Sequence, residues 1–402
     1  MALFDRGGVV WFDAADRLGA IVALRCSKSA RSLSWPQQCS PLDSKLVMSQ
    51  SLATVSRAQA QGPFYLGVDV GGTNVKLGVV DDLGRTLARA SIPTRHELGP
   101  DDGVARIATA VRGLIADAGL AADDVARIGL ATPGFMDIAS GMLLDLPNLP
   151  SWSYYPVRDR MAAACERPVT FANDANAAAF GERWVGSGRV FHSIVLLTLG
   201  TGVGGGIIIG DLSIDGENSH GSECGHTIID YHATARMCGC GQRGHLEAYA
   251  SATALVKRTA EALAAGRKSS LAARLEGGET LTPLLLAAEA DAGDALSLEL
   301  ILETAMYIGV AATSLMHTID PGAVILGGAM NFGGHATPLG RRFLERVREE
   351  VRARAFPALA KRTTIDFASL GGDAGFIGAA GIARAADRKL GLGVRGSGSV
   401  GT

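Results

Sequence analysis

The sequence predicts a mixed α/β protein built from two similar domains with a cleft between them. Three observations carry that prediction. Strands followed by helices are given twice along the chain. Each half opens with an apolar strand, a glycine-bearing turn and a second apolar strand. A length of 402 residues also exceeds what one core usually covers.

Residues 1–62 stand apart from this pattern. They mix charge, serine and short apolar pieces (VVWF, AIVAL) without sustained periodicity. Asp5 and Arg6 interrupt any signal-peptide n-region, and AIVAL is too short and too late for an h-region. The segment reads as a disordered extension or as an over-long start with Met48 the true first residue. The second is preferred, because a strongly patterned domain begins soon afterwards at Tyr65. The first α/β domain is expected over 63–185. It holds strands at 65–70, 75–80 and 86–92, a helix at 102–118 and a strand at 126–131. A helix over 175–185 follows Asn173 and Asp174, both good N-cap residues. The second domain, 186–388, repeats the hairpin at 194–199 and 203–209. It continues with a long apolar helix at 296–317, a strand at 323–326 and an amphipathic helix near 340–354. A closing helix at 374–386 is expected to pack back on the first domain, and 389–402 reads as a flexible tail.

Composition removes several classes of function. Lys+Arg 38 against Asp+Glu 40 gives a net charge of −2, which argues against non-specific nucleic-acid binding. No stretch reads as the ~18–20 apolar residues of a membrane span, so neither a membrane nor a nucleic acid is an expected partner. The 52 glycines lack a Gly-X-Y period, and 47% of residues are hydrophobic, which excludes collagen and wholesale disorder. A cytoplasmic protein with reduced thiols is expected.

Chemistry concentrates in four places. Asp69-Val70-Gly71-Gly72-Thr73-Asn74 places an acid, two glycines and a hydroxyl in a hairpin turn. Backbone N–H groups there can approach a phosphate, and the acid can hold a metal-bound water. Taken alone, a plain tight turn explains it equally well. The second hairpin turn, Gly200-Thr201-Gly202, has the same character. No G-x-x-x-x-G-K-[ST] loop occurs, and no G-x-G-x-x-G opens a helix. Asn173-Asp174 is either a simple cap or a general base at a helix N-terminus. Between 223 and 247 the chain carries Glu223, Cys224, His226, Cys238, Cys240, His245 and Glu247. The H-x11-C-x-C-x4-H spacing suits a closed tetrahedral zinc site, and His232 is a possible competing ligand. Cys26, Cys39, Cys165 and Cys224 read as free thiols.

These residues carry a resemblance. The matching stretches are LGVDVGGTNVKLGVV (66–80), ATPGFMD (131–137), LPNLPSW (146–152), NDANAAAFGE (173–182), LTLGTGVGGGIIIG (197–210), ECGH (223–226), CGCGQRGHLEAYAS (238–251) and VILGG (324–328). From about 64 to 388 the chain resembles the ROK family of sugar kinases, most of all the bacterial-type glucokinases. The resemblance implies the two-domain actin-like ATPase (ribonuclease H-like) fold with an interdomain cleft. It implies ATP-dependent phosphorylation of glucose at the 6-hydroxyl, with Asp174 as catalytic base. Asn148, Asn173, Glu223, His226 and Glu247 would contact the sugar. Asp69, Gly71, Gly72, Thr73, Asn74, Gly200, Thr201 and Gly202 would handle phosphates and Mg2+, and Gly327 and Gly328 would leave room for adenosine. A structural Zn2+ would be held by His226, Cys238, Cys240 and the residue at 245, and a homodimer is the usual assembly.

Two departures stand out. The family usually has a third cysteine where this chain has His245, so a Cys2His2 site is expected. Cys224 replaces a commonly aliphatic residue. Rival readings are a kinase for fructose, N-acetylglucosamine, N-acetylmannosamine or allose, a polyphosphate donor in place of ATP, and a sugar-responsive repressor. Six basic residues face four acidic ones before position 48, and no pair of amphipathic helices joined by a short turn is evident there. That speaks against the repressor.

Overall fold

The computed structural model describes residues 53–146 and 150–396. Its first sheet holds β1 (Phe64–Val70), β2 (Asn74–Val80), β3 (Thr86–Pro93), β4 (Val125–Thr132) and β5 (Val169–Asn173), in the order 3-2-1-4-5. β1 to β3 are antiparallel neighbours, whereas β1, β4 and β5 run parallel. The crossovers to β4 and β5 carry α1 (Pro100–Asp117) and α2 (Val157–Cys165). Their apolar faces close one core, with Ile107, Val111 and Met161 against Leu66, Val68, Ile128 and Leu130. β1 is buried along nearly its whole length, which is why it reads as a continuous apolar run.

From β5 the chain enters α3 (Asp174–Trp184) and then the second sheet. That sheet holds β6 (Ser193–Leu199), β7 (Val203–Ile209), β8 (Leu212–Ser213), β9 (Ala323–Gly327) and β10 (Thr364–Phe367), ordered 8-7-6-9-10. Antiparallel and parallel pairings fall in the same places as in the first sheet, so one topology is repeated. Between β8 and β10 lie α4 (Ala252–Ala264), α5 (Pro283–Asp291), α6 (Ala295–Ile319) and α7 (Pro338–Arg354). The chain closes with α8 (Ala374–Gly396).

The lobes meet through two helices. Ala179 and Phe180 of α3 pack on Ile194, Leu196, Ile208 and Ile325 of the second sheet. Phe376, Ile377, Ala380 and Ala383 of α8 pack with Tyr65 and Val80 of the first. The helices then lie against each other, giving a sheet–helix–helix–sheet stack. α8 sits so close to its sheet that a Cβ on Gly67 would lie 1.7 Å from the Phe376 carbonyl oxygen.

Four expectations change. Residues 53–62, counted within the extension, pack on the first lobe: Val55 N donates to Thr86 O at 2.9 Å, and Val55 and Ala60 touch the core. The closing helix runs ten residues past 386, into the segment read as a tail. α3, assigned with residues 63–185, lies mainly on the second sheet. Finally, α6 is long and apolar enough to match a membrane span, with a mean hydropathy of 1.5. Its side chains explain the composition: Leu296, Leu300, Ile301, Ile308 and Met316 are buried in the second core.

Candidate active site

Two cavities open into the cleft and share Asp174, Ala175, Thr198 and Gly328. The smaller, about 260 Å³, is lined by Asp69, Lys76, Glu182, Gly327, Asn331 and the glycines at 371, 372 and 375, among others. The larger, about 470 Å³, takes in Phe135, Asn173, Gly200, Gly202, Glu223, His226, Cys240 and Glu247. Asp174 therefore stands at the junction.

Local folding puts it there. β5 ends at Asn173, whose Oδ1 accepts from Ala175 N (2.9 Å) and Asn176 N (3.3 Å) and starts α3. Asp174 is the first helical residue, and its Oδ1 accepts from Ala175 N at 2.8 Å. Burial raises its pKa above the ordinary carboxylate value, opposed by that backbone N–H and reinforced by the charge of Glu223. Asp69 is the next-to-last residue of β1, with Lys76 directly opposite it on β2. Burial pushes its carboxyl up to about 7, with Asp174 adding repulsion and Lys76 opposing. Asp69 and Asp174, facing one cavity with a single lysine, form an arrangement suited to a cation.

The two hairpin turns differ in placement. Gly71 N donates to Asn74 O (3.0 Å) and Thr94 Oγ1 donates to Gly71 O (2.6 Å), which fixes the first turn. Gly71, Gly72, Thr73 and Asn74 line neither cavity wall. Gly200 and Gly202 do line the larger cavity, while Thr201 does not. Glu247 Oε2 accepts from Val203 N at 3.0 Å, beside the second turn. A Cβ on Gly202 would meet that same oxygen at 2.3 Å. Gly328, at φ +90, lets the turn after β9 press on the Leu199 backbone. Asn148 lies outside the described residues.

The 223–247 segment brings His226, Cys238, Cys240 and His245 together, with one ligand atom of each within 4.8 Å of all the others. His226 Nδ1 and His245 Nδ1 are 3.1 Å apart, Cys240 Sγ is 3.3 Å from His245 Nδ1, and Cys238 Sγ is 3.9 Å from His226 Nδ1. A tetrahedral zinc with ordinary Zn–N and Zn–S bonds spaces its ligands by roughly 3.3–3.8 Å, so the donor set fits. Using Nδ1 here leaves His226 Nε2 on the side of Glu223, 3.9 Å away. One ring can thus serve the cluster and the cavity. His232 stacks on Tyr231 instead and takes no part. Cys224 is buried against Gly205, and burial, then the charge of Glu223, pushes its thiol up to about 12, so it is a core residue.

Sequence reasoning missed Lys76, Thr198, Asn331 and the 371–375 glycines on the smaller cavity, and Phe135 on the larger. Lys76 carries a signal, being a charge inside an apolar strand. The glycine run GGDAG at 371–375 is another.

A family model described as the ROK family matches residues 65–386. The chain belongs to the ROK family. This ROK protein is 33% identical over 315 residues to a glucokinase of Halalkalibacterium halodurans, covering 78% of the chain and 93% of that relative. It is also similar to a ROK family glucokinase from Streptomyces griseus, solved in complex with glucose and AMPPNP. That likeness has 32% identity and a TM-score of 0.63, covering 80% of this chain and 99% of the other. A xylose repressor of Caldicellulosiruptor bescii is 32% identical over 231 residues, 58% of this chain and 55% of that protein. The repeated sheets and central helices of this ROK chain are the two-domain actin-like fold.

Proposed function

We propose that the protein transfers the γ-phosphoryl group of ATP to the 6-hydroxyl of glucose. The observation that carries this reading is the position of Asp174, shared by a cavity with Asp69 and glycine-rich walls and a cavity with Asn173, Glu223, His226 and Glu247. A hydroxyl held in the second cavity and a phosphate held in the first meet at that carboxylate.

Asp174 takes the proton of the sugar hydroxyl as the O6–P bond forms and the bond from Pγ to the β-phosphate bridging oxygen breaks, releasing ADP. Its raised pKa makes it a stronger base than an exposed aspartate. Glu223, Glu247 and His226 Nε2 orient the remaining hydroxyls, converting an encounter into an aligned pair. Backbone N–H groups of the glycine turns suit the phosphates. Mg2+, when bound near Asp69, would neutralise phosphate charge, and zinc on His226, Cys238, Cys240 and His245 would be structural. Lys76 is the only lysine or arginine among the described residues that line these cavities, which favours one nucleotide over a long polyanion.

A coupled spectrophotometric assay with ATP, run across glucose, fructose, N-acetylglucosamine, N-acetylmannosamine and allose, tests the substrate. The highest kcat/KM is expected with glucose. A preference for another sugar moves the reading to that kinase, and no turnover with any of them removes it.

A further inference from the structure

Glu182 is wholly buried on α3, two turns on from Asp174, and no cation pairs with it among the described residues. All its partners are donors. Oε1 accepts from Ser369 N (2.9 Å) and Leu370 N (2.7 Å). Oε2 accepts from Ser187 N (2.9 Å), Ser187 Oγ (3.0 Å) and Ser369 Oγ (3.2 Å). Five donors on one buried carboxylate make a costly group to leave unsatisfied.

Its place in the topology gives this a purpose. The chain passes between the lobes twice, at Asn173–Asp174 into α3 and at 368–373 between β10 and α8. Glu182 fastens the second crossover to the helix that begins at the first. The first lobe holds the same crossover from the other side: Lys76 Nζ donates to Gly372 O at 2.8 Å, and Arg89 pairs with Asp373 at 2.7 Å. Gly371, Gly372 and Gly375 line the smaller cavity together with Asp69 and Glu182. The contact between α3 and α8 is backbone against backbone, because a Cβ on Gly378 would lie 1.6 Å from Ala177 O and one on Gly181 2.6 Å from Ala374 O.

We infer that Glu182 is a positioning residue, the pin of the interlobe hinge, which sets the 371–375 wall of the smaller cavity at a fixed place relative to Asp174. The inference rests on reading that cavity as the nucleotide side. A residue serving stability alone would, when changed, lower the melting temperature and leave the affinity of folded molecules untouched. Loss of a pin weakens nucleotide binding selectively.

The test titrates wild type, Glu182→Gln and Ser369→Ala by calorimetry, separately with Mg-AMPPNP and with glucose, alongside melting temperatures. Gln keeps one acceptor oxygen but presents an NH2 to donors, and Ser369→Ala removes one hydroxyl from the crossover. The Kd for Mg-AMPPNP is expected to rise roughly five- to tenfold in Glu182→Gln and by a smaller factor in Ser369→Ala. The glucose Kd should stay within about twofold of wild type. Unchanged AMPPNP affinity in the folded variants, or equal weakening for both ligands, overturns the inference. Ser369→Ala decides it alone if Glu182→Gln fails to fold. Wild type that binds glucose but no AMPPNP defeats the nucleotide reading itself, and the inference with it, and that result shows in the wild-type arm alone.

Discussion

At the scale of single residues, the cleft stores like charge. Asp69 keeps its proton up to about pH 7 in the folded chain, whereas the unfolded chain loses it near 3.8. The folded state therefore binds more protons between those values, and this site's contribution to stability falls as pH rises from about 4 to 7. At roughly 1.4 kcal/mol per pKa unit, Asp69→Asn should stabilise the free protein by up to about 4 kcal/mol at pH 8 and have little effect at pH 4. Melting temperatures at the two pH values check this, and equal shifts at both would refute it. Activity carries the opposite sign, because the base must be ionised. kcat should fall on the acid side with a midpoint above that of an ordinary carboxylate. Glu223 helps to raise Asp174, so Glu223→Gln at saturating sugar should move that limb to lower pH.

Elements show which parts of the fold are legible in the sequence. The hairpins over β1–β2 and β6–β7 stand out because buried apolar strands are broken by glycine turns, and their observed bounds differ from the reading by at most one residue. β5 and β10 escaped, being short and interrupted by polar residues such as Thr170 and Asp366, whereas the equally short β9 is a continuous apolar run. Asn173 explains part of that, since one residue ends a strand and caps a helix. No helix was read between 251 and 295, where α4 and α5 are alanine-rich and α5 has no clear apolar stripe. In the site, the Cys and His spacing pointed to the cluster, because ligands close in sequence need no fold to find each other. Lys76 and Gly372 meet only through the tertiary fold, and no local pattern announces that pairing. With zinc bound, the cluster would brace the element bearing Glu223, His226 and Glu247. Chelation should lower the melting temperature and weaken glucose binding at least as much as it slows turnover. His245→Cys should retain about one zinc per chain by elemental analysis, and His245→Ala should lose it. Retention in the alanine variant would remove His245 as a ligand.

On the scale of the whole molecule, two copies of one sheet topology face each other across α3 and α8, and the residues in question sit where the chain crosses between them. That explains why Asp174 begins a helix at one crossover while Gly371 and Gly372 of the smaller cavity lie at the other. It also explains the glycine excess, which serves close backbone approach at turns and helix contacts more than flexibility. The account depends above all on Asp174 acting as base at the junction of two cavities. The measurement that tests it most directly compares Asp174→Asn with wild type for turnover of glucose with Mg-ATP and for glucose affinity by calorimetry. The account predicts a fall in kcat of about 10²–10⁴-fold or more, with glucose Kd within a few-fold of wild type. Turnover near the wild-type rate in a variant that still binds glucose would contradict it.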